Sequence, residues 1–463
     1  MNVTARDDIA YVQRVGDPGS GSADGIAPDS QTGPSSQTGP SSQTGPSSQT
    51  GPSSQTGKAP RTKPAGPLAT TNEFSREVLT MVRNFHRTFP QYQETPLIQL
   101  PALAAELGVG GIWIKDESKR FDLNSFKVLG GAYAVARYLG DRLGIAPEEL
   151  SFARLNSPEA RAELGTVNFV TATDGNHGRA VAWSARELGH RAVVFMPKGA
   201  SSHRVANIEK EGAEVHVTAG NYDETIRVAR AYMEEHGGVI VQDTSWEGYR
   251  DIPLWIMQGY AVVLDEVADQ LQAAGVQYPD VAFLQAGVGS FAGGAAAAIA
   301  ERYGDKRPRV AVVEPSAAAC YYESVRIADG EPYDIGGELD SIMVGLACGE
   351  PNRLAWPILR DHADLYFSVA DSVSASAMRV LAQPRGGDEA LVAGESAVAG
   401  LGIVLALSHA RQAGSAKAEA AWHALGLGPE AQVLIVSTEG DTDPDHYRRI
   451  LNEKLYPAAW EGA

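Results

Sequence analysis

The sequence is poor in cysteine and in positive charge, and each shortage excludes a class of protein. Only two of the 463 residues are cysteines, Cys320 and Cys348, which excludes a disulfide-built scaffold and a cysteine-rich zinc site. Lysine and arginine number 39 against 57 aspartates and glutamates, which gives a formal net charge of −18. Because nucleic acids and anionic membranes attract a basic face, this balance argues against both as partners.

Long apolar runs are also missing. The most apolar stretch, residues 397–407, is interrupted by glycine and falls well short of the about 18–20 residues of a membrane-spanning helix. The first residues, MNVTARDD, lack the basic and apolar regions of a secretory signal. We therefore expect a cytoplasmic protein with no membrane partner.

The first 72 residues contain little that could form a core. The hexapeptide QTGPSS occurs four times in tandem over residues 31–54, and Tyr11 is the only aromatic residue before residue 73. Such a segment cannot bury enough apolar surface to offset the entropy lost on ordering. The sequence therefore predicts a disordered low-complexity tail over residues 1–72. Its opposite charges cancel, so the net charge of −18 belongs to the remaining residues.

Beyond the tail, short β-branched runs alternate with alanine-rich helical stretches. Nine runs predict strands, at residues 112–118, 168–174, 191–197, 214–220, 239–244, 281–287, 309–315, 365–370 and 433–438. This alternation is typical of α/β folds, in which helices cover both faces of a parallel sheet. Nine strands are more than a single sheet usually contains, so we expect two α/β domains. A ligand-binding cleft should lie between them, at the carboxyl ends of the strands.

Two segments in this region could bind an anionic cofactor. Lys127 lies in the opening turn of a predicted helix, after Asn124 and Ser125; it is either a solvated surface lysine or one whose pKa is lowered by burial and the helix dipole for Schiff-base chemistry. Residues 286–294, AGVGSFAGG, join a strand to an alanine-rich helix. They form either a phosphate-binding turn or an ordinary tight turn.

Two further segments follow predicted strands. In residues 173–178, TDGNHG, the simplest interpretation of Asn176 is a helix cap and that of His177 is a satisfied turn histidine. Residues 242–249, QDTSWEGY, read most simply as a loop anchored by aromatic side chains.

Together these segments resemble the fold type II pyridoxal-phosphate enzymes, the tryptophan synthase β family. The finer strings resemble the diaminopropionate ammonia-lyases within it, in sequence order from about Asn84 to Tyr447. They are FDLNSFKVLGGAYA, VTATDGNHGRAVAW, MPKG, NYDET, VQDTSWEGY, IPLWIMQGY, LQAGVGSFAGG, GLACGEPN, GESAVAGLG and STEGDTD. Asp122 and Ser125 depart from the pattern, in which glycine and alanine are expected; these neighbours of the lysine could tune substrate choice.

The resemblance implies pyridoxal 5′-phosphate as cofactor. Lys127 would bind it as a Schiff base, Asn176 would face its 3′-oxygen, and Ser437 or Thr438, with Ser437 preferred, would contact its pyridine nitrogen. Its phosphate would lie on the backbone N–H groups of Gly287, Val288, Gly289, Ser290, Phe291 and Ala292. A neutral hydroxyl at the pyridine nitrogen weakens the ring as an electron sink, which favours prompt β-elimination over transamination.

The resemblance also implies elimination from both isomers of 2,3-diaminopropionate, giving pyruvate and ammonia. The two Cα protons lie on opposite faces, so two bases are required: Lys127 for the L isomer and Asp174 for the D isomer. Asp243 or Lys127 would assist departure of the β-amine. Asp174 and Asp243 could also recognise the second ammonium group of the substrate.

The resemblance implies a fold type II enzyme with a large domain of residues 73–166 and 247–463, a small mobile domain of residues 167–246, and a homodimer. The family carries cysteines near Cys320 and Cys348; two free thiols are the simpler expectation, and a pair near the cleft is the alternative. Other functions remain open here: a serine or threonine dehydratase, a β-replacing enzyme, or a cofactor-free binding protein.

Overall fold

A computed structural model of the chain describes residues 9–13 and 68–462. The strands in this part are β1 (Ile9–Gln13), β2 (Leu97–Gln99), β3 (Gly111–Asp116), β4 (Asn168–Ala172), β5 (Arg191–Met196), β6 (Glu214–Val217), β7 (Val239–Ile240), β8 (Val281–Gln285), β9 (Arg309–Pro315), β10 (Leu365–Val369) and β11 (Gln432–Ser437).

The helices alternate with these strands along the chain. They are α1 (Arg76–Arg87), α2 (Pro101–Leu107), α3 (Lys127–Arg142), α4 (Phe152–Leu155), α5 (Pro158–Leu164), α6 (Asn176–Glu187), α7 (Ser202–Glu209), α8 (Tyr222–His236), α9 (Asp251–Ala273), α10 (Ser290–Tyr303), α11 (Cys320–Ile327), α12 (Ala355–His362), α13 (Asp371–Ala382), α14 (Ala399–Gln412), α15 (Ala416–Leu425) and α16 (Pro444–Asn452). Among the described residues, no helix is both long and apolar enough to cross a membrane.

The strands form two sheets. The larger has the order β1-β10-β9-β8-β11-β3-β2, with parallel pairing from β10 to β3 and an antiparallel strand at each edge. The smaller has the order β6-β5-β4-β7 and is parallel throughout. The prediction of an α/β fold with two mostly parallel sheets is confirmed.

All nine predicted runs contain a strand, and the two strands that were missed are the antiparallel edges β1 and β2. β1 lies inside the predicted disordered tail, so that prediction is wrong for residues 9–13, which pair with β10. Ile9, Tyr11 and Val12 are buried there. The QTGPSS repeats lie outside the described residues.

The four strands of the smaller sheet fall between residues 168 and 240, inside the range predicted for a small domain. The boundaries of that domain, and its mobility, stay predictions.

Close helix packing fixes the position of α3. A Cβ atom at Gly259 of α9 would collide with the backbone of Leu129 and Gly130 in α3, so the two helices approach as closely as glycine permits. A helix held this tightly gives its first residue, Lys127, a fixed place in the molecule.

Candidate active site

The segment before Lys127 is held by a buried network of charges. Lys115 Nζ lies 2.7 Å from Glu266 Oε2, and Arg120 Nη2 lies 2.7 Å from the same oxygen and 2.8 Å from Glu117 Oε1. All four side chains are inaccessible to solvent, and the two positive and two negative charges balance. Because a buried ion pair is costly to break, this network fixes the path of the chain from β3 to α3.

Lys127 contacts a carboxylate in the loop that follows β7 of the smaller sheet. Its Nζ lies 2.7 Å from Oδ2 of Asp243, whose other oxygen accepts a hydrogen bond of 3.1 Å from Tyr222. The rings of Phe126 and Tyr260 flank Nζ, with centroids at 5.7 and 5.4 Å. This contact joins segments that are 116 residues apart in the sequence.

The ionisation of this pair differs from the expectation of a lowered lysine pKa. Burial disfavours the charged amine, but the adjacent Asp243 carboxylate outweighs it and raises the pKa of Lys127 above its usual value. For Asp243, burial acts in the opposite direction, but Lys127 lowers its pKa to about 2. The Lys127 amine is therefore charged and paired at neutral pH.

Asp174 lines the same cavity, in the turn between β4 and α6. Burial raises its pKa, while the nearby charges of Arg204 and Lys127 oppose the rise. A carboxylate in this environment accepts a proton more readily than a solvated one.

The glycine-rich segment faces Lys127 across the cavity. Gly287, Val288, Gly289, Ser290 and Phe291 line it, whereas Ala292 is buried inside α10 and does not. Gly289 has φ +92°, and a Cβ atom there would collide with the hydroxyl of Tyr321, so only glycine fits. Its neighbour Ser290 donates a hydrogen bond to the backbone carbonyl of Asp243. The segment is thus a preformed turn of backbone N–H groups at a helix N-terminus.

Asn176 does not cap its helix with its side chain. It is the first residue of α6, and its Nδ2 donates a hydrogen bond to Oε2 of Glu439. Glu439 also accepts from the Ser396 backbone N–H at 3.2 Å and lines the cavity. Glu439 and Ser396 lie in the strings STEGDTD and GESAVAGLG, which carry the family resemblance but predicted no role for either residue.

Of the two candidate hydroxyls, Ser437 ends β11 and Thr438 follows it, and only Thr438 lines the cavity. Ser437 is buried and its hydroxyl has no hydrogen-bond partner among the described residues.

The structure agrees with the interpretation of His177 as a satisfied turn histidine and of residues 242–249 as a loop anchored by aromatic side chains. His177 is buried, and its Nε2 lies 2.8 Å from the carbonyl oxygen of Val241, with burial lowering its pKa. In the 242–249 loop, the rings of Trp246 and Tyr249 stack with centroids 4.1 Å apart.

The two cysteines and the two residues that depart from the family pattern differ in their burial and in their distance from the cavity. Cys320 and Cys348 are both buried free thiols, and Cys348 lines the cavity. Ser125 also lines it, whereas Asp122 is exposed and adopts φ +58°.

Comparison with known proteins agrees with this geometry. The family model described as "Pyridoxal-phosphate dependent enzyme" matches residues 88–440. The chain is 45% identical to the diaminopropionate ammonia-lyase of Salmonella typhimurium over 392 residues, covering 84% of this chain and 96% of that protein. The chain belongs to the diaminopropionate ammonia-lyase family.

Solved structures of that family share the fold. The chain is 43% identical to the diaminopropionate ammonia-lyase of Escherichia coli in complex with D-serine, with a TM-score of 0.78, over 84% of this chain and 95% of that one. The same enzyme in complex with an aminoacrylate–PLP azomethine reaction intermediate gives a TM-score of 0.76, with 43% identity and the same coverage. The fold type II prediction is confirmed, and pyridoxal 5′-phosphate is the cofactor of this family.

The residues at the cavity fit that cofactor. One cavity is lined by an amine, by a hydroxyl at the end of β11, and by a turn in which a Cβ atom at Gly289 has no space. These are the groups that an aldehyde, a phosphate and a pyridine nitrogen require.

Proposed function

We propose that the protein catalyses the pyridoxal-phosphate-dependent α,β-elimination of D- and L-2,3-diaminopropionate to pyruvate and ammonia. The observation that carries the proposal is the contact of Lys127 with Asp243, in a cavity that also contains Asp174 and the glycine-rich turn. Membership of the diaminopropionate ammonia-lyase family supports the reaction class and the substrate.

The cofactor, when bound, supplies an electron sink for the pair of electrons left at Cα. Lys127 would hold it, and the backbone N–H groups of Gly287, Val288, Gly289, Ser290, Phe291 and Ala292 would bind its phosphate; of these residues, 287–291 line the cavity. Asn176, oriented by Glu439, would face the 3′-oxygen. Thr438 would contact the pyridine nitrogen, because it lines the cavity and Ser437 does not.

Two bases serve the two isomers. Lys127, whose amine would be uncharged once it has held the cofactor, would take the Cα proton of the L isomer at Nζ, and Asp174 would take that of the D isomer. Asp174 suits this task because its burial raises its pKa and thus its basicity. The amine and the carboxylate come from α3 and from the turn before α6, so they approach the substrate from different elements.

The departing β-amine leaves as ammonia with the electron pair of its Cβ–N bond, and Lys127 is better suited than Asp243 to supply the proton it needs. For the L isomer, this would be the proton that Nζ has taken from Cα. Asp243 stays ionised because Lys127 lowers its pKa to about 2, so it orients Nζ and offsets the positive charge there without itself transferring a proton.

A serine or threonine dehydratase is the remaining alternative of the same fold. Neither substrate carries a second amine, so neither gives Asp174 and Asp243 a cation to recognise.

We also propose that the enzyme works in the cytoplasm as a homodimer. Light scattering on the purified protein would show twice the chain mass of 49.0 kDa for the dimer, and a single chain mass would contradict it.

The role of Lys127 is tested by Lys127→Ala. We expect the variant to lose the visible absorption band of the covalently bound cofactor and to lose activity by a factor of about 10³ or more. The matched control is Lys119→Ala, an exposed lysine eight positions earlier, which should keep both. A normal band in Lys127→Ala would exclude this lysine as the attachment point.

The two-base assignment is tested by Asp174→Asn. The amide cannot accept the proton, so turnover of the D isomer should fall by a factor of about 10² or more, with a much smaller effect on the L isomer. Steady-state rates of pyruvate formation from each pure isomer measure this. Equal losses for both isomers would contradict the assignment.

A further inference from the structure

One motif of the sequence, GLACGEPN at residues 345–352, has no role in the proposed reaction. Its first part lines the active-site cavity, through Gly345, Leu346 and Cys348. Its last residue, Asn352, does not line the cavity and is completely buried. A buried amide costs free energy unless its polar atoms are hydrogen-bonded, so the partners of Asn352 show which segments it holds together.

The partners of Asn352 fix the orientation of its amide group. The backbone N–H of Leu354 lies 2.9 Å from one amide atom, and because an N–H can only donate, that atom is the oxygen Oδ1. The Ser245 hydroxyl donates to the same oxygen at 2.6 Å. The amide nitrogen Nδ2 is left facing Ser290, and it donates to Oγ of that residue at 2.6 Å.

This orientation also fixes the hydroxyl of Ser290. Because Nδ2 of Asn352 is only a donor, Oγ of Ser290 accepts there, and the hydroxyl proton needs a different acceptor. That acceptor is the backbone carbonyl of Asp243, which also lies 3.4 Å from Nδ2 of Asn352. The hydroxyl of Ser290 is therefore already engaged, and only the backbone N–H of this residue remains to donate to an anion in the cavity.

The backbone of Asn352 holds the same turn at a second point. Its N–H donates to the carbonyl oxygen of Val288 at 2.7 Å, and the Tyr321 hydroxyl donates to that oxygen at 2.8 Å. Two donors occupy both lone pairs of this oxygen. Since the N–H of Gly289 points the opposite way across the same planar peptide unit, these bonds also fix the direction of that N–H.

Asn352 thus joins two segments that the active site must keep together. One is the glycine-rich turn after β8 of the larger sheet, which its amide contacts through Ser290. The other is the loop after β7 of the smaller sheet, which its amide contacts through Ser245 and the carbonyl of Asp243. The carboxylate of Asp243 is the group that lies 2.7 Å from Lys127 Nζ.

We propose that Asn352 is a positioning residue that holds the phosphate-binding turn and the Asp243 loop in register through the hydroxyl of Ser290. The cofactor would be anchored at its phosphate and at Lys127, so the distance between the turn and the Lys127–Asp243 pair must match its length. A distance that is fixed before binding raises the affinity. This inference rests on the proposed function, because it takes the turn as the phosphate site and the pair as part of the reaction.

The coupling between the two residues is tested with Asn352→Ala, Ser290→Ala and the double variant. The dissociation constant of pyridoxal 5′-phosphate is measured by equilibrium dialysis of each holoenzyme. Each single substitution should raise it about tenfold, and the double variant should stay within about twofold of the weaker single variant, because the amide acts through the hydroxyl. A rise of about a hundredfold in the double variant, or an unchanged constant in either single variant, would overturn the proposal.

The matched control is Ser184→Ala, which removes a similarly buried hydroxyl that also donates to a backbone carbonyl, that of Ala180. It should leave the dissociation constant unchanged, and a tenfold rise would overturn the proposal. Urea unfolding of each holoenzyme shows whether the variant folds. If Asn352→Ala does not fold, Ser245→Ala takes its place, since it removes one of the two donors that orient the amide. It should raise the constant about two- to threefold, and no rise would overturn the proposal.

The effect on Asp243 is tested with the same variants at saturating cofactor. A displaced Asp243 no longer orients Lys127, so kcat for pyruvate formation from diaminopropionate should fall about fivefold, with KM within about twofold of the wild type. An unchanged kcat would overturn the joint positioning. If the wild-type holoenzyme forms no pyruvate from diaminopropionate, the proposed function fails instead, and the cofactor dissociation constants still decide the role of Asn352.

Discussion

Glu439 connects three segments around the active-site cavity. It accepts hydrogen bonds from Asn176 and from the Ser396 backbone, and its own backbone forms a bridge with Ser125. It is buried beside Glu395, and these two effects, burial first, raise its pKa to about 7. A carboxyl group in this position changes its charge in the pH range in which the enzyme would work.

This pKa predicts a specific pH dependence of stability. A carboxyl group with a raised pKa in the folded state contributes stability below its unfolded pKa, and this contribution is lost as the pH rises through the folded value. Between about pH 5 and pH 8, the free energy of unfolding of the wild type should therefore fall by up to about 3 kcal/mol more than that of Glu439→Gln, which cannot ionise.

Urea unfolding at the two pH values, with the cofactor saturating, measures this difference. The exposed Glu209→Gln serves as the control and should follow the wild type. An identical pH dependence in Glu439→Gln and the wild type would show that Glu439 keeps an ordinary pKa.

At the residue scale, the motifs predicted which residues lie around the active-site cavity more accurately than they predicted the contacts of those residues. Lys127, Asp174, Asn176 and Asp243 all line the active-site cavity, as the motifs predicted. The choice between Ser437 and Thr438 depends on where β11 ends, which the pattern VLIVST does not show. The raised pKa of Lys127 depends on a partner 116 residues away, which no local pattern contains.

At the scale of elements, the parallel strands were predictable and the edge strands were not. Buried parallel strands are continuous β-branched runs, such as VLIVS in β11. β2 has three residues, and β1 is a single short run in a region without other core-forming residues. Their pairing is a tertiary effect, since each completes a sheet built by distant segments.

Removal of β1 should destabilise the larger sheet. Its residues Ile9, Tyr11 and Val12 are buried, and Tyr11 stacks on Phe367 with ring centroids 5.6 Å apart. Burial of three such side chains contributes about 1.5–3 kcal/mol each, and fixing the five residues of the strand takes back about 1 kcal/mol each, which leaves a net contribution of up to about 4 kcal/mol. Deletion of residues 1–13 should lower the free energy of unfolding by this amount, measured by urea denaturation.

Deletion of the repeats at residues 31–54 is the matched control. It shortens the segment between β1 and residue 68, so closing that loop costs the same or slightly less entropy, and stability should stay equal or rise slightly. Equal stability of the wild type and the 1–13 deletion would show that β1 contributes nothing to the fold.

At the scale of the whole molecule, the net charge of −18 bears on how the active-site cavity binds its ligands. The acidic excess that argued against nucleic acid includes Asp174 and Asp243, which line the active-site cavity. The cofactor phosphate is anionic, so the chain must bind it with the backbone N–H groups of the glycine-rich turn, against its overall field. Composition therefore argues against classes of partner and does not locate the site.

The relative rates of pyruvate formation from diaminopropionate and from L-serine test the central claim most directly. The holoenzyme should form pyruvate from both isomers of diaminopropionate with a kcat/KM at least about tenfold above that for L-serine, because only the diamino acid provides the second ammonium group that Asp174 and Asp243 recognise. A higher kcat/KM for L-serine than for either isomer would contradict the account and identify the protein as a dehydratase.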